Sequence, residues 1–400
     1  MRIPIYKRVL AALSLMVFVL FSLFVFFVPS GSGNIQKSPE SAPSDAVKPV
    51  SASSPQIPEK TVVPPADKIP NIFTKLQAKY NLVKIPTYDA SYQLTHPKIL
   101  YFENGWNGYR YWMSMTPYPF GHDIYENPSI VVSNDGKTWA PPEGLKNPVS
   151  GVPSDVALGG HYSDSHIVMR GDTMELWYRY NPALTATPKE ITVPQRQSGS
   201  SLNSSPERKK IWRRANNSIN TYYRRTSTDG VHWTNAQQLM QGKNGYLSMC
   251  VNYEEGKYKI WYATYGGDLF SSQSKDALHW TDPVLCTVPL PKGLQCYHQD
   301  IIRYKSKYYL LQTAEKVSNY TFQLYLLQSS DGIHFTQVQQ VVPTKDQSLW
   351  NDVSLYRSTL FVKDDQLQLF VSLIIPRLKW FVTQFTLPMP APLPAGSVHN

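Results

Sequence analysis

The sequence predicts an all-β protein, a five-bladed β-propeller in which each blade is a four-stranded antiparallel sheet. A turn of the form S-x-D-G-x-x-W occurs four times along the chain, as SNDGKTW, STDGVHW, SKDALHW and SSDGIHF. Each copy follows a run of β-branched and aromatic residues, which favour strands. The unit recurs at roughly 45–55 residues and is stretched once by an insertion, and a period of that length is typical of propeller blades.

The first blade is the clearest of the five. It contains three predicted strands, Pro97–Phe102, Tyr109–Met115 and Pro128–Ser133, and a fourth is expected after Trp139. In the turn after the third strand, the Asp can accept backbone N–H groups and the Gly takes a positive φ. The aromatic residue three positions after the Gly then packs under the blade.

Aligning the chain with itself identifies the innermost strand of each blade. The five strands read HPKILYF from His96, DSHIVMR from Asp164, SMCVNYE from Ser248, HQDIIRY from His298 and DVSLYRS from Asp352. Residues two apart on a strand share a face, so a second polar ring is expected below the first. Its members are Lys98, His166, Cys250, Asp300 and Ser354.

The ends of the propeller are expected to meet in the last blade. The C-terminal strand Lys379–Leu387 would be its third strand, and a stretch near Tyr80–Ile85 would be its fourth. This closure pairs the edge strand that an open ring would expose.

The N-terminal part predicts attachment to a membrane. Residues 1–8 carry three positive charges and would be cytoplasmic, and residues 9–28 are uncharged and long enough for a transmembrane signal anchor. A cleaved signal peptide, which would give a secreted protein, is the alternative. Residues 29–70 are rich in Ser and Pro and predict a disordered linker. We therefore expect a single-pass cell-membrane protein with its propeller on the extracellular side.

The propeller is expected to occupy residues 71–390, with a basic insertion over 181–217 and a tail over 391–400. A helical pattern is convincing only over Ile72–Tyr80. Three Cys do not make a disulfide scaffold, although Cys286 and Cys296 could pair outside the cell. The net charge of +10 suits an anionic surface, but no motif indicates a nucleic-acid partner, and a monomer is expected.

On the blade count, the four turns and the acidic residues at inner-strand starts, the chain from Tyr80 to Leu387 resembles the five-bladed propeller glycosidases of glycoside hydrolase families 43 and 32. In those families an Asp of the first blade is base or nucleophile, an Asp of the second orients the substrate, and a Glu of the third is the general acid. The matching positions here are His96, Asp164 and Ser248, so the chain agrees only at Asp164.

Glycoside hydrolysis normally needs two carboxyl groups, so another acid must replace the missing Glu. Glu126, in the loop PYPFGHDIYENP, is the candidate general acid, and His96 is a candidate general base. The predicted catalytic residues are Glu126, Asp164, Asp352 and His96. The predicted substrate-binding residues are Asp123, Tyr125, Tyr162, His166, Ser248, His298, Asp300 and Trp350. No cofactor and no catalytic metal are predicted, and a structural cation such as calcium near His298 is the one option left open.

The resulting hypothesis is a membrane-anchored extracellular glycoside hydrolase-like protein that acts on a cell-surface or environmental polysaccharide or oligosaccharide through its polar funnel. The alternative is a non-catalytic glycan-binding propeller. A six-bladed sialidase is less favoured, because the sialidase Asp turn has an extra residue and its Arg triad has no evident counterpart here. A facing pair of carboxyl groups would favour the glycosidase over the binding module.

Overall fold

The computed structural model describes residues 69–183, 219–243, 247–264, 266–316, 318, 321–341 and 353–391. They form an N-terminal helix, α1 (Ile69–Tyr80), and five antiparallel sheets that are the blades of a propeller. The predicted all-β, five-bladed architecture is confirmed.

Consecutive strands pair within each blade, which is the order expected when short turns join neighbouring antiparallel strands. Blade 1 contains β1 (Leu94–Trp106), β2 (Tyr109–Pro117) and β3 (Ser129–Ser133). Blade 2 contains β4 (His161–Arg170), β5 (Thr173–Asn181), β6 (Ile219–Ser227) and β7 (Gln237–Lys243). Blade 3 contains β8 (Leu247–Glu254), β9 (Lys257–Ala263), β10 (Leu269–Ser274) and β11 (Val284–Leu285). Blade 4 contains β12 (Leu294–Tyr304), β13 (Lys307–Lys316), β14 (Thr321–Ser329) and β15 (Thr336–Val341).

Blade 5 differs from the others because its inner strand is split. The short strand β16 (Ser354–Leu355) and the strand β17 (Thr359–Lys363) both pair with β18 (Gln366–Ile375), which in turn pairs with β19 (Lys379–Pro388). The outer edge of β19 is covered by Leu82, which forms an antiparallel bridge with Thr383. The expected closure near Tyr80–Ile85 is therefore present as a single bridge. In blade 1, Ala140 bridges Val132 in the place of the expected fourth strand.

The four repeated turns have the predicted local structure. In the second copy, the Asp229 carboxylate accepts the backbone N–H groups of Val231 and His232, each at 2.8 Å, and the indole N–H of Trp233 donates to the carbonyl of Gly230 at 3.1 Å. Gly230 has φ +77°, a conformation that favours glycine. These turns join third strands to fourth strands, so alternation of strand direction places them on the face opposite the start of the inner strands.

The blades are held together by aromatic and aliphatic packing between neighbouring sheets. Trp112, Trp177 and Trp261 are among the largest fully buried side chains, and each lies on the second strand of its blade. Helix α1 packs Phe73 and Tyr80 against the last blade, in one cluster with Phe381. All three cysteines are free and buried.

No helix among the described residues is long and apolar enough to cross a membrane. The expected anchor over residues 9–28, nearly all of the basic insertion and the expected C-terminal tail apart from residue 391 lie outside the described residues. So does the expected linker up to residue 68, whereas residues 69 and 70, assigned to the linker from the sequence, begin helix α1.

Candidate functional site

The inner strands of the first four blades are each interrupted by a bulge close to their start. Register shifts fall between Thr95 and Lys98, Ser163 and His166, Leu247 and Cys250, and Cys296 and His298. Such a bulge re-aims side chains and is common beside functional sites. Three residues within the bulges, His96, Asp164 and Ser248, have φ of 56°, 52° and 51°. Non-glycine residues held in this left-handed region cost of order 1–3 kcal/mol each, so the surrounding structure must enforce the conformation.

In the fifth blade, the break between β16 and β17 contains Tyr356, Arg357 and Ser358. Arg357 is 2% exposed and contributes to the polar ring beside Asp164. The self-alignment gave this position to Asp352, which lies outside the described residues. That alignment started the strand five residues too early, at Asp352 instead of Arg357.

A simple spacing would have found Arg357. In three blades the ring residue stands nine positions before the first residue of the second strand, and Arg357 stands nine positions before β18. The four pairs are Asp164 and Thr173, Ser248 and Lys257, His298 and Lys307, and Arg357 and Gln366.

Asp164 is the centre of the ring and is fully buried. Its Oδ2 atom lies 2.9 Å from Nε of Arg179 and accepts the backbone N–H of Ser248 at 3.1 Å. Its Oδ1 atom accepts a hydrogen bond from Arg357 at 3.2 Å. Burial acts to raise the pKa of this carboxyl, but the opposing effects of Arg179, His96 and Arg357 prevail and hold it below its usual range. Asp164 is therefore an ionised carboxylate.

His96 lies between the two principal acids of the site. Its Nδ1 atom is 3.4 Å from Oε1 of Glu126, and its Nε2 atom is 3.3 Å from Oδ1 of Asp164. Burial lowers the pKa of His96 to about 3 against the raising effect of Asp164, so the imidazole is neutral. Nδ1 is also 3.1 Å from the Thr116 hydroxyl and 3.4 Å from the backbone N–H of Asp164. In the tautomer with its proton on Nδ1, which the Thr116 hydroxyl can accept, a lone pair remains on Nε2.

His298 approaches the ring from blade 4 and is 5% exposed. Its ring centroid is 5.3 Å from that of His96. Both of its ring nitrogens are buried and have no hydrogen-bond partner among the described residues. Burial lowers the pKa of His298 well below its usual value, so this imidazole is also neutral. A buried polar group without a partner costs about 1–3 kcal/mol, and an ordered water, a ligand or an ion can satisfy it.

The three groups fit a transition-metal ion. One ligand atom from each of His96, Asp164 and His298 lies within 4.8 Å of the others. In a tetrahedral zinc site with bonds of about 2.0–2.2 Å, neighbouring ligand atoms lie roughly 3.3–3.5 Å apart. The 3.3 Å between His96 Nε2 and Asp164 Oδ1 matches that edge, and His96 Nε2 makes no hydrogen bond there. Two neutral imidazoles and one carboxylate suit zinc or a similar ion better than calcium, which prefers oxygen ligands.

Glu126 lies beside this cluster, in the loop between β2 and β3. It is 6% exposed, 3.4 Å from His96 and 3.8 Å from Nε2 of His161. Burial, assisted by the charges of Asp123 and Asp164, raises the pKa of Glu126 well above its ordinary value. A carboxyl group in this state can exchange a proton with substrate or water near neutral pH.

The second ring lies one layer deeper and is a bonded network between blades, in which Nδ1 of His166 has no hydrogen-bond partner among the described residues. The Asp300 carboxylate accepts from the Lys98 ammonium at 2.7 Å, from the Thr359 hydroxyl at 2.7 Å and from the Leu360 N–H at 3.1 Å. His166 uses Nε2 to contact the Val251 carbonyl at 2.9 Å. His166, Cys250 and Asp300 also group their donor atoms within 4.8 Å. The Asp300 carboxylate pairs with the Lys98 ammonium, just as the Asp164 carboxylate pairs with Arg179 and Arg357. Asp300 and His166, expected to bind substrate, thus join blades below the ring of His96.

The remaining expected site residues are spread around the rim. Asp123 is exposed and accepts from the Tyr118 hydroxyl at 2.7 Å, whereas Tyr125 is buried and presents its backbone carbonyl to the Tyr88 hydroxyl at 2.9 Å. Tyr162 packs against Tyr178 at 5.1 Å. Ser248 contributes its backbone N–H, which donates a hydrogen bond to the Asp164 carboxylate. Trp350 lies outside the described residues.

An aromatic wall stands beside His298, and sequence reasoning missed three of its members, Phe322, Tyr356 and Trp380. Its five rings come from blades 1, 4 and 5 and lie within 4.7–5.9 Å of one another along the wall. The members are Tyr118, Tyr297, Phe322, Tyr356 and Trp380. Flat aromatic faces of this kind suit the apolar face of a sugar ring.

Over a short segment, the chain is similar in sequence to a curated protein. A curated relative, the A type blood N-acetyl-alpha-D-galactosamine deacetylase of Flavonifractor plautii, is 45% identical over 83 residues, which are 21% of this chain and 10% of that protein. The match thus spans about a tenth of the relative. No family model matches the chain.

Solved structures share the fold. An N-acetylgalactosamine deacetylase from F. plautii, in complex with blood group B trisaccharide, superposes with a TM-score of 0.60 at 20% identity, over 77% of this chain and 94% of that one. A GH32 beta-fructofuranosidase of Bombyx mori gives 0.49 at 12% identity, over 82% and 69%. An exo-1,5-alpha-L-arabinanase from a bovine ruminal metagenomic library gives 0.46 at 13%, over 74% and 92%. The five sheets of the structure itself give the five-bladed propeller fold, and the chain's structural neighbours include GH43 and GH32 glycoside hydrolases.

Proposed function

We propose that this protein is a metal-dependent hydrolase that removes the acetyl group from an N-acetylated sugar of a glycan. The observation that carries the proposal is the set of neutral, buried imidazole nitrogens of His96 and His298 that face ionised Asp164 without hydrogen-bond partners. The deacetylase activity named for the F. plautii relative supports the same reaction.

His96, Asp164 and His298 would hold the metal. A divalent cation such as zinc supplies Lewis-acid polarisation of the acetyl carbonyl when bound there. Thr116 and Glu126 lie on the far side of His96 and can accept the Nδ1 proton, which orients the ring and fixes the tautomer that presents Nε2. Arg179 and Arg357 hold the Asp164 carboxylate in place from two directions.

Glu126 would perform the proton transfers. As a carboxylate it takes a proton from water as the water oxygen bonds to the acetyl carbon. It then donates that proton to the amide nitrogen as the carbon–nitrogen bond breaks. The products are acetate and a sugar with a free amine. The raised pKa of Glu126 suits both halves of this transfer, since the same group must accept and then release a proton.

Glycoside hydrolysis is the second candidate. Glu126, with its raised pKa, and ionised Asp164 form the unequal pair of carboxyl groups that a glycosidase uses. However, the His96 imidazole fills the space between them, with its two nitrogens 3.4 Å from one acid and 3.3 Å from the other. The scissile bond and a water would have to occupy that space, so the deacetylase is favoured. A glycan-binding module without turnover is the remaining alternative.

The site in this proposal faces the extracellular side of a membrane. The support is the sequence of residues 1–28, in which a basic segment precedes an uncharged span long enough for a bilayer. A cell-surface or environmental glycan would be the matching substrate.

The proposal is tested by incubating the purified protein with a panel of oligosaccharides that carry N-acetylhexosamine residues. Acetate, free amine and new reducing ends are measured separately. We expect acetate and amine in equal amounts, without new reducing ends, and loss of both on chelation with recovery on adding zinc. Reducing ends without acetate would instead identify a glycosidase. Binding without either product would identify a binding module.

A further inference from the structure

The second ring contains a group of metal-binding side chains that the proposed hydrolysis does not use. One ligand atom from each of His166, Cys250 and Asp300 lies within 4.8 Å of the others. The three residues belong to blades 2, 3 and 4 and are 1%, 0% and 2% exposed. Unlike the ring of His96, this group contains a thiol, which is a soft metal ligand once it is deprotonated.

The sulfur of Cys250 is fixed by the neighbouring inner strand. It accepts the backbone N–H of Ile301 at 3.2 Å, and it lies 3.6 Å from Oδ1 of Asp300 and 3.6 Å from the Ile301 carbonyl. An N–H group that donates to sulfur favours the thiolate. Burial has the opposite effect and raises the pKa of Cys250 to about 12, so the metal-free protein contains a thiol whose proton a bound metal ion must displace.

The imidazole of His166 has one nitrogen held by the backbone and one without a partner. Its Nε2 atom lies 2.9 Å from the Val251 carbonyl and 3.2 Å from the Val251 N–H. In the tautomer protonated at Nε2, the ring donates to that carbonyl and keeps a lone pair on Nδ1. Nδ1 is buried and has no hydrogen-bond partner among the residues that the structure describes. Metal-binding histidines commonly donate their other ring N–H to a backbone carbonyl, so Nδ1 of His166 is an available ligand.

A cavity of about 640 Å³ provides a route by which an ion can reach the second ring. Its lining includes Lys98 of that ring and residues further along the same inner strands, among them Val168, Asn252 and Ile302. It also includes Lys305, which is exposed, so the cavity opens to solvent. The inner strands run from the ring of His96 toward the face of the Asp turns, so the cavity lies on the far side of the second ring. An ion can enter there without passing the proposed catalytic site.

The second ring suits copper(I) better than zinc. Structural zinc sites have four protein ligands, whereas the described residues supply three here, and Asp300 is already bonded to Lys98 and Thr359. Thiolate selects soft ions such as copper(I), which favours low coordination numbers. The charges also match, because a Cys250 thiolate and the Asp300 carboxylate carry two negative charges and the Lys98 ammonium carries one positive charge. One monovalent cation therefore leaves the buried group neutral.

We propose that the second ring is a copper(I) site in which Sγ of Cys250 and Nδ1 of His166 bind the ion and Asp300 balances its charge. The Cys250 proton passes to solvent as the sulfur–copper bond forms, and the copper remains in its monovalent state throughout. The ion would join blades 2 and 3 beneath the ring of His96. This inference does not depend on the proposed deacetylase function.

The test titrates copper(I) into the full-length protein without oxygen, with ascorbate as reductant and bathocuproine disulfonate as the competing chelator. The wild type is compared with Cys250→Ser and His166→Phe. Cys296→Ser is the matched control, because Cys296 is another free thiol and is 5% exposed. His298→Phe is the second control and reports copper bound in the ring of His96. X-ray absorption at the copper edge identifies the bound atoms.

We expect the wild type to bind one copper(I) ion through sulfur and nitrogen. Cys250→Ser and His166→Phe should each weaken copper(I) affinity by more than about 100-fold, since loss of an outer-shell partner alone costs about 10–100-fold. Cys296→Ser and His298→Phe should match the wild type. Failure of the wild type to compete with the chelator, unchanged affinity in Cys250→Ser, or a loss of affinity in His298→Phe would overturn the inference.

A crystal of the copper(I)-loaded wild type provides a test that needs no variant to fold. An anomalous peak at the copper edge should lie in bonding contact with Sγ of Cys250 and Nδ1 of His166. The absence of a peak at this position would show that the second ring is a bonded network without metal. Acetate release by the wild type bears only on the proposed function, so the two proposals can fail separately.

Discussion

Replacing His298 by Phe separates a metal ligand from a structural histidine. The substitution keeps a flat ring against Tyr297 and Tyr356, whose centroids are 4.3 and 4.5 Å away. It removes two buried nitrogens that have no partner among the described residues. An unsatisfied buried polar group costs about 1–3 kcal/mol, so the metal-free variant should be as stable as the wild type or up to ~2 kcal/mol more stable. For a domain of about 320 residues, each kcal/mol corresponds to roughly 1.5 °C in Tm.

In the presence of zinc, His298→Phe should instead be less stable than the wild type. At zinc concentrations a hundredfold above Kd, the wild type should gain about 2.7 kcal/mol, and most of this gain should vanish in His298→Phe. Thermal and urea unfolding are measured with chelator and with zinc, and zinc affinity is measured by calorimetry. His166→Phe is the matched control, because His166 contacts the Val251 carbonyl at 2.9 Å. This control should lose about 1–3 kcal/mol without metal and keep its response to zinc.

His298 would not be a metal ligand if, in the presence of chelator, the free energy of unfolding of His298→Phe fell by several kcal/mol while the variant still bound zinc as the wild type does. A moderate loss could arise from the larger ring, since overpacking costs about 1–3 kcal/mol. His298→Asn, which is smaller, resolves that case, because it should also fail to gain stability from zinc.

Three further predictions concern the turns, the acid and the second ring. Gly230→Ala should unfold blade 2 locally and lower Tm strongly, since an added Cβ would stand 2.1 Å from the Trp112 ring and the backbone has φ +77°. The control is Gly256→Ala, which has a similar φ of +75° but open space around the added Cβ. Its free energy of unfolding, measured by denaturation, should fall by only about 1 kcal/mol. In metal-free protein, neutral Glu126 favours the folded state below its unfolded pKa of about 4.3, and this stability is lost as the pH rises from there to the raised folded value. Glu126→Gln should therefore be more stable than wild type at pH 8 relative to pH 4, and a parallel pH dependence of both proteins in urea unfolding would contradict it. Lys98→Met should cost about 3–5 kcal/mol, because it leaves the Asp300 charge buried without its cation, and an unchanged urea midpoint would count against that ion pair.

The sequence was sufficient for the fold because the fold repeats. Each copy of the Asp turn fixes the end of a third strand through local hydrogen bonds, so a few residues determine the frame of a whole blade. One turn departs from the motif. Ala277 replaces glycine in the third turn yet has φ 66°, and the same pattern of hydrogen bonds to Asp276 offsets the cost of that conformation.

The sequence predicted ring residues only in the blades whose inner strands could be aligned with one another. His96, Asp164, Ser248 and His298 follow from the strand starts, and all four lie in the ring. Arg357 was missed because the alignment placed the start of the inner strand of blade 5 at Asp352, although the spacing to the second strand identifies Arg357. The likeness to glycosidases also directed attention to pairs of carboxyl groups, whereas the unpartnered nitrogens of His298 are visible only in three dimensions.

The most direct test of this account is a crystal structure of the zinc-soaked protein with anomalous data collected on both sides of the zinc absorption edge. The account predicts one strong anomalous peak at roughly 2.0–2.2 Å from Nε2 of His96, a carboxylate oxygen of Asp164 and a ring nitrogen of His298. Density for water at this position without an anomalous signal, or a peak only at the second ring of His166, Cys250 and Asp300, would contradict it.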